Sequence, residues 1–262
     1  MANMTSSVSA SQVAGELASA TFEEIPALVE HYREDPRQQV IKACERALKR
    51  HAKELAERER VNDMYELMHE LGGDGVVVGV DEVGRGSVAG PLTVCAVCLP
   101  MEPRVWGIND SKKLTPARRE LLSVKIAEVA TAIGFCHIAP KDIDEMGMAR
   151  AIRTAVAGAV ADMGLEPDCV LMDGNPLGAV PNERDVVKGD AKIACIAAAS
   201  IMAKVTRDEM MVEYDAEYPE YHLAESKGYA SPEHIEAIRK HGLCPLHRVS
   251  FCGNFLQTER LF

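Results

Sequence analysis

Two adjacent carboxylates at the end of a strongly apolar run are the residues of this sequence best suited to chemistry. Residues 76–80 read Val-Val-Val-Gly-Val, and Asp81 and Glu82 follow, directly before a Gly-Arg-Gly turn at 84–86. Such a β-branched run is typical of an interior strand, where acidic residues need a charge partner or a metal. Adjacent strand side chains point to opposite faces, so the two carboxylates share a site only if the backbone turns, as glycine permits. The alternative for this run alone is a surface strand end.

Two further carboxylates stand in suggestive positions. Asp173 ends another apolar strand, and Asp208 lies in a long Ala-rich helix predicted over 191–214. Ser200, Lys204 and Asp208 are four residues apart, which places them along one stripe of that helix. The alternative for Asp208 is an ordinary surface ion pair with Lys204.

Four carboxylates that converge without cations would repel and raise one another's pKa values. Mg²⁺ or Mn²⁺ removes that conflict, since ligand sets made only of oxygen favour hard divalent cations. Such a site suits two-metal phosphoryl chemistry, in which one ion activates water and the other stabilises the leaving oxygen. The predicted catalytic and metal-binding residues are Asp81, Glu82, Asp173 and Asp208.

Two other classes of protein compete with this interpretation. A dinucleotide binder is suggested by Gly84-x-Gly86 after a strand, but that fingerprint requires a helix to open in the glycine loop. Here the loop passes through Gly90-Pro91 into another β-rich run. A catalytically silent nucleic-acid-binding protein is the second class, and four acidic residues would weaken its phosphate binding unless metals were present.

Composition indicates an ordinary soluble protein with one sizeable domain and an extension. The chain has 262 residues, is 47% hydrophobic and carries a net charge of −11, which argues against a general nucleic-acid coat. Bound metal ions would still allow such a chain to meet phosphates. No stretch approaches the roughly 20 apolar residues of a membrane span, and residues 1–15 lack the pattern of a signal peptide. We therefore expect a cytoplasmic protein.

The cysteines are better explained as free thiols than as zinc ligands. Cys95 and Cys98 lie three apart on a predicted strand, so their sulfurs face opposite sides. Cys244, His247 and Cys252 form a loose group without a second ligand pair. Buried thiols in a reducing compartment account for both groups.

The chain divides at the glycines near position 73. We expect an N-terminal helical extension over residues 1–72 and a catalytic domain over 73–262. The Ser- and Ala-rich first 20 residues are expected to be mobile. Asp35-Pro36 is a good helix start, and an amphipathic pattern follows to Leu71.

The remaining pattern predicts an α/β fold, a mixed sheet flanked by helices, with a C-terminal helical segment. The expected strands cover 76–83, 90–99, 132–138, 169–173 and 184–188. The expected helices cover 116–130, 141–163, 191–214 and 232–241. Asp190 is expected to be the N-cap of the third of these helices.

With these residues in view, the chain resembles bacterial ribonuclease HII. The matching segments, in the family's order, are Gly79-Val-Asp-Glu-Val-Gly-Arg-Gly-Ser-Val-Ala-Gly-Pro91, Asn109-Asp-Ser-Lys-Lys-Leu-Thr115, Met172-Asp-Gly174, Lys188-Gly-Asp190, Ser200-Ile-Met-Ala-Lys-Val-Thr-Arg-Asp208, Lys227-Gly-Tyr229 and His247-Arg-Val-Ser-Phe251. The resemblance implies a ribonuclease H-like fold and hydrolysis of the phosphodiester 5′ to a ribonucleotide, in an RNA–DNA hybrid or in duplex DNA.

The resemblance also implies roles for residues. The metal-binding catalytic carboxylates would be Asp81, Glu82, Asp173 and Asp208. The loop that reads the ribose 2′-hydroxyl would comprise Gly84, Arg85 and Gly86. Tyr229 would pack under the junction nucleotide. Candidate phosphate contacts are Lys112, Lys113 and Lys188. These roles make physical sense, because glycine lets backbone groups approach a sugar and the 2′-hydroxyl separates RNA from DNA.

The sequence departs from the family pattern in places. Position 147 is Gly where relatives typically carry Asn, so a polar substrate contact is in doubt. Ser87 and Thr93 replace commoner apolar residues, with little expected effect. The sister family, ribonuclease HIII, shares the carboxylates but typically lacks Arg in the glycine loop, so Arg85 and Tyr229 favour HII.

Two interaction questions stay open at this level. The extension fits either an accessory substrate-binding module or simple packing. The tail Gln257-Thr-Glu-Arg-Leu-Phe262 loosely resembles peptides that dock on sliding clamps, whereas packing of Leu261 and Phe262 on their own domain is the simpler alternative.

Overall fold

The computed structural model describes residues 8–256 of the chain. The chain separates into two compact units, Met1–Asn62 and Asp63–Phe262. The first unit contains helices α1 (Ala10–Ser19), α2 (Ile25–His31) and the larger part of α3 (Gln38–Gly72), which continues into the second unit.

Helix α1 forms where the sequence predicted mobility. The Gln12 amide donates to the Ser9 hydroxyl at 3.2 Å, and the Ser9 amide donates to the Gln12 side chain at 2.8 Å. This capping box satisfies two backbone donors at the helix start. At the other end, Arg50 donates to the carbonyls of residues 17, 18 and 20. Val13 and Leu17 are fully buried. The prediction of mobility is therefore wrong for residues 10–19, and residues 1–7 lie outside the described part.

The second unit is built on a five-stranded mixed sheet in the order β3-β2-β1-β4-β5. Its strands are β1 (Val77–Val83), β2 (Leu92–Cys98), β3 (Ala132–Ile138), β4 (Cys169–Asp173) and β5 (Glu183–Val186). β1 pairs antiparallel with β2 and parallel with β4. The predicted α/β mixed sheet is confirmed. β2 is buried along its whole length, which explains why its sequence is apolar without alternation.

Helices cover both faces of this sheet. The helices of this unit are α4 (Pro116–Val129), α5 (Pro140–Met146), α6 (Met148–Asp162), α7 (Ala194–Glu217), α8 (Leu223–Ser226), α9 (Pro232–His241) and α10 (Val249–Cys252). Of these, α6 and α7 pack on the two faces of the sheet. Val78 and Val80 join the core formed with α6. Gly79, between them, faces the other side. A Cβ there would lie 2.2 Å from the backbone carbon of Cys195, so this glycine lets α7 approach β1.

Two predicted helix boundaries are wrong. The helix expected over 141–163 is two helices, because Gly147 has a φ of 77° and interrupts it. Asp190 is not an N-cap: it lies in a 3₁₀ turn (Gly189–Ala191), and α7 begins at Ala194 after Ile193. Asp190 is instead buried, with Lys112 Nζ 3.9 Å from its carboxylate.

The C-terminal helices form a small core of their own. Tyr221, Leu223, Ile238 and Cys252 pack with Val88 of the β1–β2 connection. The C-terminal segment therefore covers the loop that follows the Asp81–Glu82 pair. None of the helices within residues 8–256 has the length and apolar character needed to cross a membrane.

Candidate active site at the ends of two central strands

The parallel pairing of β1 with β4 brings two acidic strand ends together. Their register pairs Val80 with Met172, and Asp81 and Asp173 are the next residues of the two strands. Glu82 follows on β1, where the Glu82 amide donates to Asp81 Oδ1 at 2.8 Å. Asp173 Oδ1 accepts from the Gly189 amide at 2.7 Å. Three of the four predicted carboxylates thus lie at one edge of the sheet, as open α/β sheets place their sites.

Burial and mutual repulsion act strongly on these groups. Burial, followed by the nearby Glu82 and Asp173 charges, raises the pKa of Asp81 to about 8. Hydrogen bonds from the Ser200 hydroxyl and the Glu82 amide oppose that rise. Burial also raises the pKa of Glu82, although Arg85 Nη1 lies 3.5 Å from Glu82 Oε1 and opposes it. The ionised forms of both groups are therefore disfavoured, and a bound cation would favour them.

An open cavity of about 260 Å³ adjoins the carboxylates. Its lining residues are Asp81, Glu82, Val83, Gly84, Arg85, Gly86, Ser111, Lys112, Ser200, Lys204 and Tyr229. The structure therefore brings the glycine loop, Tyr229 and Lys112 to the same place as the Asp81–Glu82 pair. Ser111 and Ser200, whose hydroxyls lie 2.9 Å apart, also line the cavity, and their residue types alone do not predict a role there.

Asp208 lies beside a different group of charges. Lys204 Nζ donates to Asp208 Oδ1 at 2.7 Å, and Arg119 Nη2 is 4.0 Å from Asp208 Oδ2. The helical ion pair that was the alternative for Asp208 is thus present. Lys204 also lines the cavity, whereas Asp208 does not and is joined to it through the hydrogen bond from Lys204. Within residues 8–256, no three His, Cys, Asp or Glu side chains are arranged as metal ligands.

Two buried arginines donate hydrogen bonds to the glycine loop and to the residues that follow it. Arg207 donates to the carbonyls of Pro91, Lys227 and Ala89 and to the Ser87 hydroxyl, over 2.8–3.0 Å. Arg248 donates to the carbonyls of Gly90 and Arg85 over 2.9–3.1 Å. Both side chains are fully buried. Sequence reasoning missed these roles, although both residues stand inside the matching segments.

The hydrogen bonds of Arg207 explain two features of the loop. Gly84 has a φ of +83°, and a Cβ there would lie 2.3 Å from Arg207 Nε. A side chain at this position would therefore strain the backbone and displace the guanidinium. The Ser87 hydroxyl donates to the Gly84 carbonyl at 2.9 Å as well as accepting from Arg207. The sequence expected little effect from Ser87, but its hydroxyl connects the arginine to the loop.

Tyr229 is held against the loop through its neighbours. The amides of Val88 and Ala89 donate to the Gly228 carbonyl at 2.9 and 3.0 Å. The Arg207 guanidinium lies 5.7 Å from the centre of the Tyr229 ring. Tyr229 is 39% exposed and lines the cavity.

Of the three predicted lysines, Lys112 lines the cavity, whereas Lys113 and Lys188 are not among its lining residues. Lys112 is exposed. Burial lowers its pKa, but the surrounding carboxylates, Asp81 first among them, outweigh that effect and raise it. Lys113 is exposed beside it. Lys188 is exposed, with a φ of 58°, directly before the Gly189 amide that binds Asp173.

The prediction that the cysteines are free thiols is confirmed. All eight cysteines lie in the described part of the chain and are free. Cys244 Sγ is 3.1 Å from His247 Nδ1, whereas the Cys252 thiol donates to the Val88 carbonyl.

The fold and the acidic edge define a ribonuclease H-like protein. A crystal structure of ribonuclease H2 from Pyrococcus horikoshii superposes with a TM-score of 0.59 at 27% identity, covering 70% of this chain and 99% of that one. The ribonuclease HII of a complex with PCNA from Archaeoglobus fulgidus superposes with a TM-score of 0.58 at 25% identity, covering 66% and 94%.

The family follows from the sequence comparisons. A model described as "Ribonuclease HII" matches residues 78–254, and one described as "Ribonuclease HII N-terminal domain" matches residues 9–71. The chain is 44% identical to ribonuclease HII of Ruminiclostridium cellulolyticum, over 77% of this chain and 80% of that one. It is 47% identical to that of Moorella thermoacetica, over 74% and 96%. The chain belongs to the ribonuclease HII family, which cleaves RNA in RNA–DNA hybrids, and is a type 2 ribonuclease H endonuclease.

The crowding of carboxylates predicts that removing one charge stabilises the metal-free protein. The pKa of Asp81 is raised from 3.8 to about 8, so the folded state holds a proton that the unfolded state releases across this range. Stability therefore falls as pH rises through this window. Asp81→Asn should raise the melting temperature by several degrees at pH 8 in EDTA, measured by calorimetry, and less at pH 5. The exposed Asp185→Asn serves as control and should change it little. A lower melting temperature for Asp81→Asn at pH 8 would contradict the assignment of repulsion.

Proposed function

We propose that this protein hydrolyses the phosphodiester 5′ to a ribonucleotide, leaving 3′-hydroxyl and 5′-phosphate ends. The proposed substrates are RNA–DNA hybrids and single ribonucleotides embedded in duplex DNA. The observation that carries the proposal is the meeting of Asp81, Glu82 and Asp173 at one sheet edge, beside a cavity that the glycine loop and Tyr229 also line.

The donor set of the site fits divalent cations. The side chains that would hold them are Asp81, Glu82, Asp173 and Asp208, which offer only carboxylate oxygens. Mg²⁺ and Mn²⁺ prefer such ligands, and burial of repelling carboxylates is the condition that a cation relieves. Bound at this site, two such ions supply activation of the attacking water and stabilisation of the leaving oxygen. The inclusion of Asp208 rests on the family resemblance, because its carboxylate now bonds to Lys204.

The chain's own residues would bind and orient the substrate strand. Gly84, Arg85 and Gly86 would approach the ribose, since a methyl group at Gly86 would meet nothing within 4 Å and this face of the loop is open. The exposed Lys112 and Lys188 would contact phosphates. Tyr229 would stack on the sugar or base at the RNA–DNA junction.

The main test is the charge of Asp173. Asp173→Asn keeps the oxygen that accepts from the Gly189 amide, so we expect the fold to survive. Initial rates on a duplex with one ribonucleotide and on an all-RNA hybrid, each in Mg²⁺ and in Mn²⁺, should fall at least about a hundredfold. Asp185→Asn is the matched control and should cleave normally. Near-normal cleavage by a well-folded Asp173→Asn protein would contradict the two-metal assignment.

Tyr229 should matter most where one junction is the only feature that marks the substrate. Tyr229→Ala loses stacking, typically about 1–3 kcal/mol per base, so the rate on a single ribonucleotide should fall more than the rate on a long hybrid. Long hybrids offer many ribonucleotides and A-form shape. Tyr229→Phe, which keeps the ring, is the control and should retain most of the preference. An equal, slight loss on both substrates would mean that Tyr229 is structural.

We propose the boundary between the helical extension and the catalytic domain at residues 72 and 73, giving 1–72 and 73–262. The matches of the two family models to 9–71 and 78–254 support it, whereas the compact units divide earlier, within α3. We also propose a cytoplasmic location, since free thiols are typical of a reducing compartment.

A sliding clamp is the proposed partner of the C-terminal tail. The tail, residues 257–262, lies outside the described part of the chain, and the support is its sequence together with the archaeal relative solved in complex with PCNA. Deletion of residues 257–262 should abolish binding to a bacterial sliding clamp in a pull-down or by calorimetry, while cleavage of free substrate is retained. Equal binding by both forms, or binding by neither, would rule the partner out.

A further inference from the structure

Two buried histidines behind Tyr229 form a hydrogen-bonded pair. His234, in the first turn of α9, is fully buried, and His247 is 3% exposed. Their Nε2 atoms lie 3.1 Å apart. Tyr221 packs against the pair, with its ring centre 4.8 Å from that of His247. Among residues 8–256, no carboxylate forms an ion pair with either histidine, so within this part of the chain the pair is not an ordinary ion-pair site.

The partners of the outer nitrogens fix where the protons lie. The Cys244 amide donates to His247 Nδ1 at 3.0 Å, so Nδ1 is an acceptor and the proton of His247 lies on Nε2. That proton is donated to His234 Nε2, which leaves the proton of His234 on Nδ1. His234 Nδ1 is 2.9 Å from the Tyr229 carbonyl and donates to it. The hydrogen bonds therefore run in one direction, from Cys244 through both imidazoles to Tyr229.

This arrangement requires both rings to be neutral. Burial lowers the pKa of His234, and burial together with His234 lowers the pKa of His247 to about 4. A second proton on His234 would place two donors against each other between the Nε2 atoms, and a second proton on His247 would place one on Nδ1, against the Cys244 amide.

The position of Tyr229 depends on its backbone. Lys227 and Gly228, just before it, have φ angles of 51° and 76°. A Cβ at Gly228 would lie 2.3 Å from the Ala89 carbonyl oxygen. Because Tyr229 is 39% exposed, we infer that the direction of its side chain depends on the atoms that hold the 227–229 segment. The Tyr229 carbonyl accepts from His234 and, at 2.8 Å, from the Ser231 amide.

We propose that His234 and His247 are positioning residues for Tyr229: as a neutral pair of defined tautomers, they orient the carbonyl of Tyr229 and so direct its ring toward the glycine loop. The proposal rests on the proposed junction-reading function of Tyr229. The histidines do not touch substrate and act through the Tyr229 backbone.

Two amide substitutions separate this role from a merely structural one. The side-chain nitrogen of Asn occupies the place of His Nδ1, so His234→Asn keeps the donor to Tyr229 and loses the bond to His247. Gln reaches the place of Nε2, so His234→Gln keeps the bond to His247 and loses the donor to Tyr229. Each variant loses one buried hydrogen bond, which matches their structural cost.

The measured quantity is the ratio of kcat/KM on a single-ribonucleotide duplex to kcat/KM on an all-RNA hybrid. His234→Gln should lower this ratio about tenfold, and His234→Asn should leave it close to that of the unaltered protein. In a Tyr229→Ala background, His234→Gln should change the ratio no further. Equal ratios for His234→Asn and His234→Gln, at comparable melting temperatures, would overturn the positioning role.

A readout without substrate separates failure of this proposal from failure of the junction-reading function. Nitrogen-15 NMR of the unaltered, labelled protein at pH 7 should show a proton on His234 Nδ1 and one on His247 Nε2. A proton on His234 Nε2, or a charged ring, would overturn the proposal even if Tyr229→Ala behaves as expected. The defined tautomers together with an unaffected ratio for Tyr229→Ala would instead contradict the junction-reading function. If both His234 variants fail to fold, the tautomers found by NMR of the unaltered protein decide whether the positioning role stands.

Discussion

The buried guanidinium of Arg207 is the interaction on which the geometry of the site depends. It lies on α7 and donates to backbone oxygens of both the β1–β2 connection and the 227–229 segment. A buried charge is costly unless its donors are satisfied, so the chain must supply these carbonyls in fixed positions. Gly84, whose Cβ would meet the guanidinium, and Ser87, whose hydroxyl accepts from it, are consequences of that requirement. Arg248 likewise donates to carbonyls of the β1–β2 connection, those of Gly90 and Arg85.

The arginine can act only because α7 lies close to the sheet. Gly79 removes the side chain that would separate α7 from β1, and the facing residues of α7 from Ala194 to Ala199 are small or fully buried. The same helix carries Ser200, Lys204, Arg207 and Asp208. Because α7 lies close to β1, it places the Ser200 hydroxyl next to Asp81 and the Lys204 side chain in the lining of the cavity. Within the same three turns it also places Arg207 against the glycine loop.

The sequence predicts the strands and the acidic edge well, for a physical reason. An apolar run that ends in carboxylates is a local signal, and parallel pairing of β1 with β4 follows from the alternation of strands and helices. Helix boundaries that depend on backbone geometry are harder to predict from the sequence. The break at Gly147 depends on a positive φ, and the start of α7 at Ala194 depends on a 3₁₀ turn that binds Asp173 through the Gly189 amide. The roles of Arg207 and His234 required knowledge of which distant carbonyls they meet, and sequence spacing does not carry that information.

The distribution of charge around the site follows from how each buried group is satisfied. Arg207 and Arg248 hydrogen-bond to neutral oxygens, so their positive charges are not paired with the carboxylates of Asp81 and Glu82. Burial lowers the pKa values of His234 and His247, which disfavours a cation at either ring. Lys204 is bonded to Asp208, and Arg85 reaches Glu82 only at 3.5 Å from the exposed loop. The protein therefore uses its buried arginines and histidines to hold backbone in place, and of the basic residues that line the cavity Lys112 is the one on which the Asp81 charge acts. Burial and then the neighbouring Glu82 charge raise the pKa of Asp81, and a bound cation would favour its ionised form.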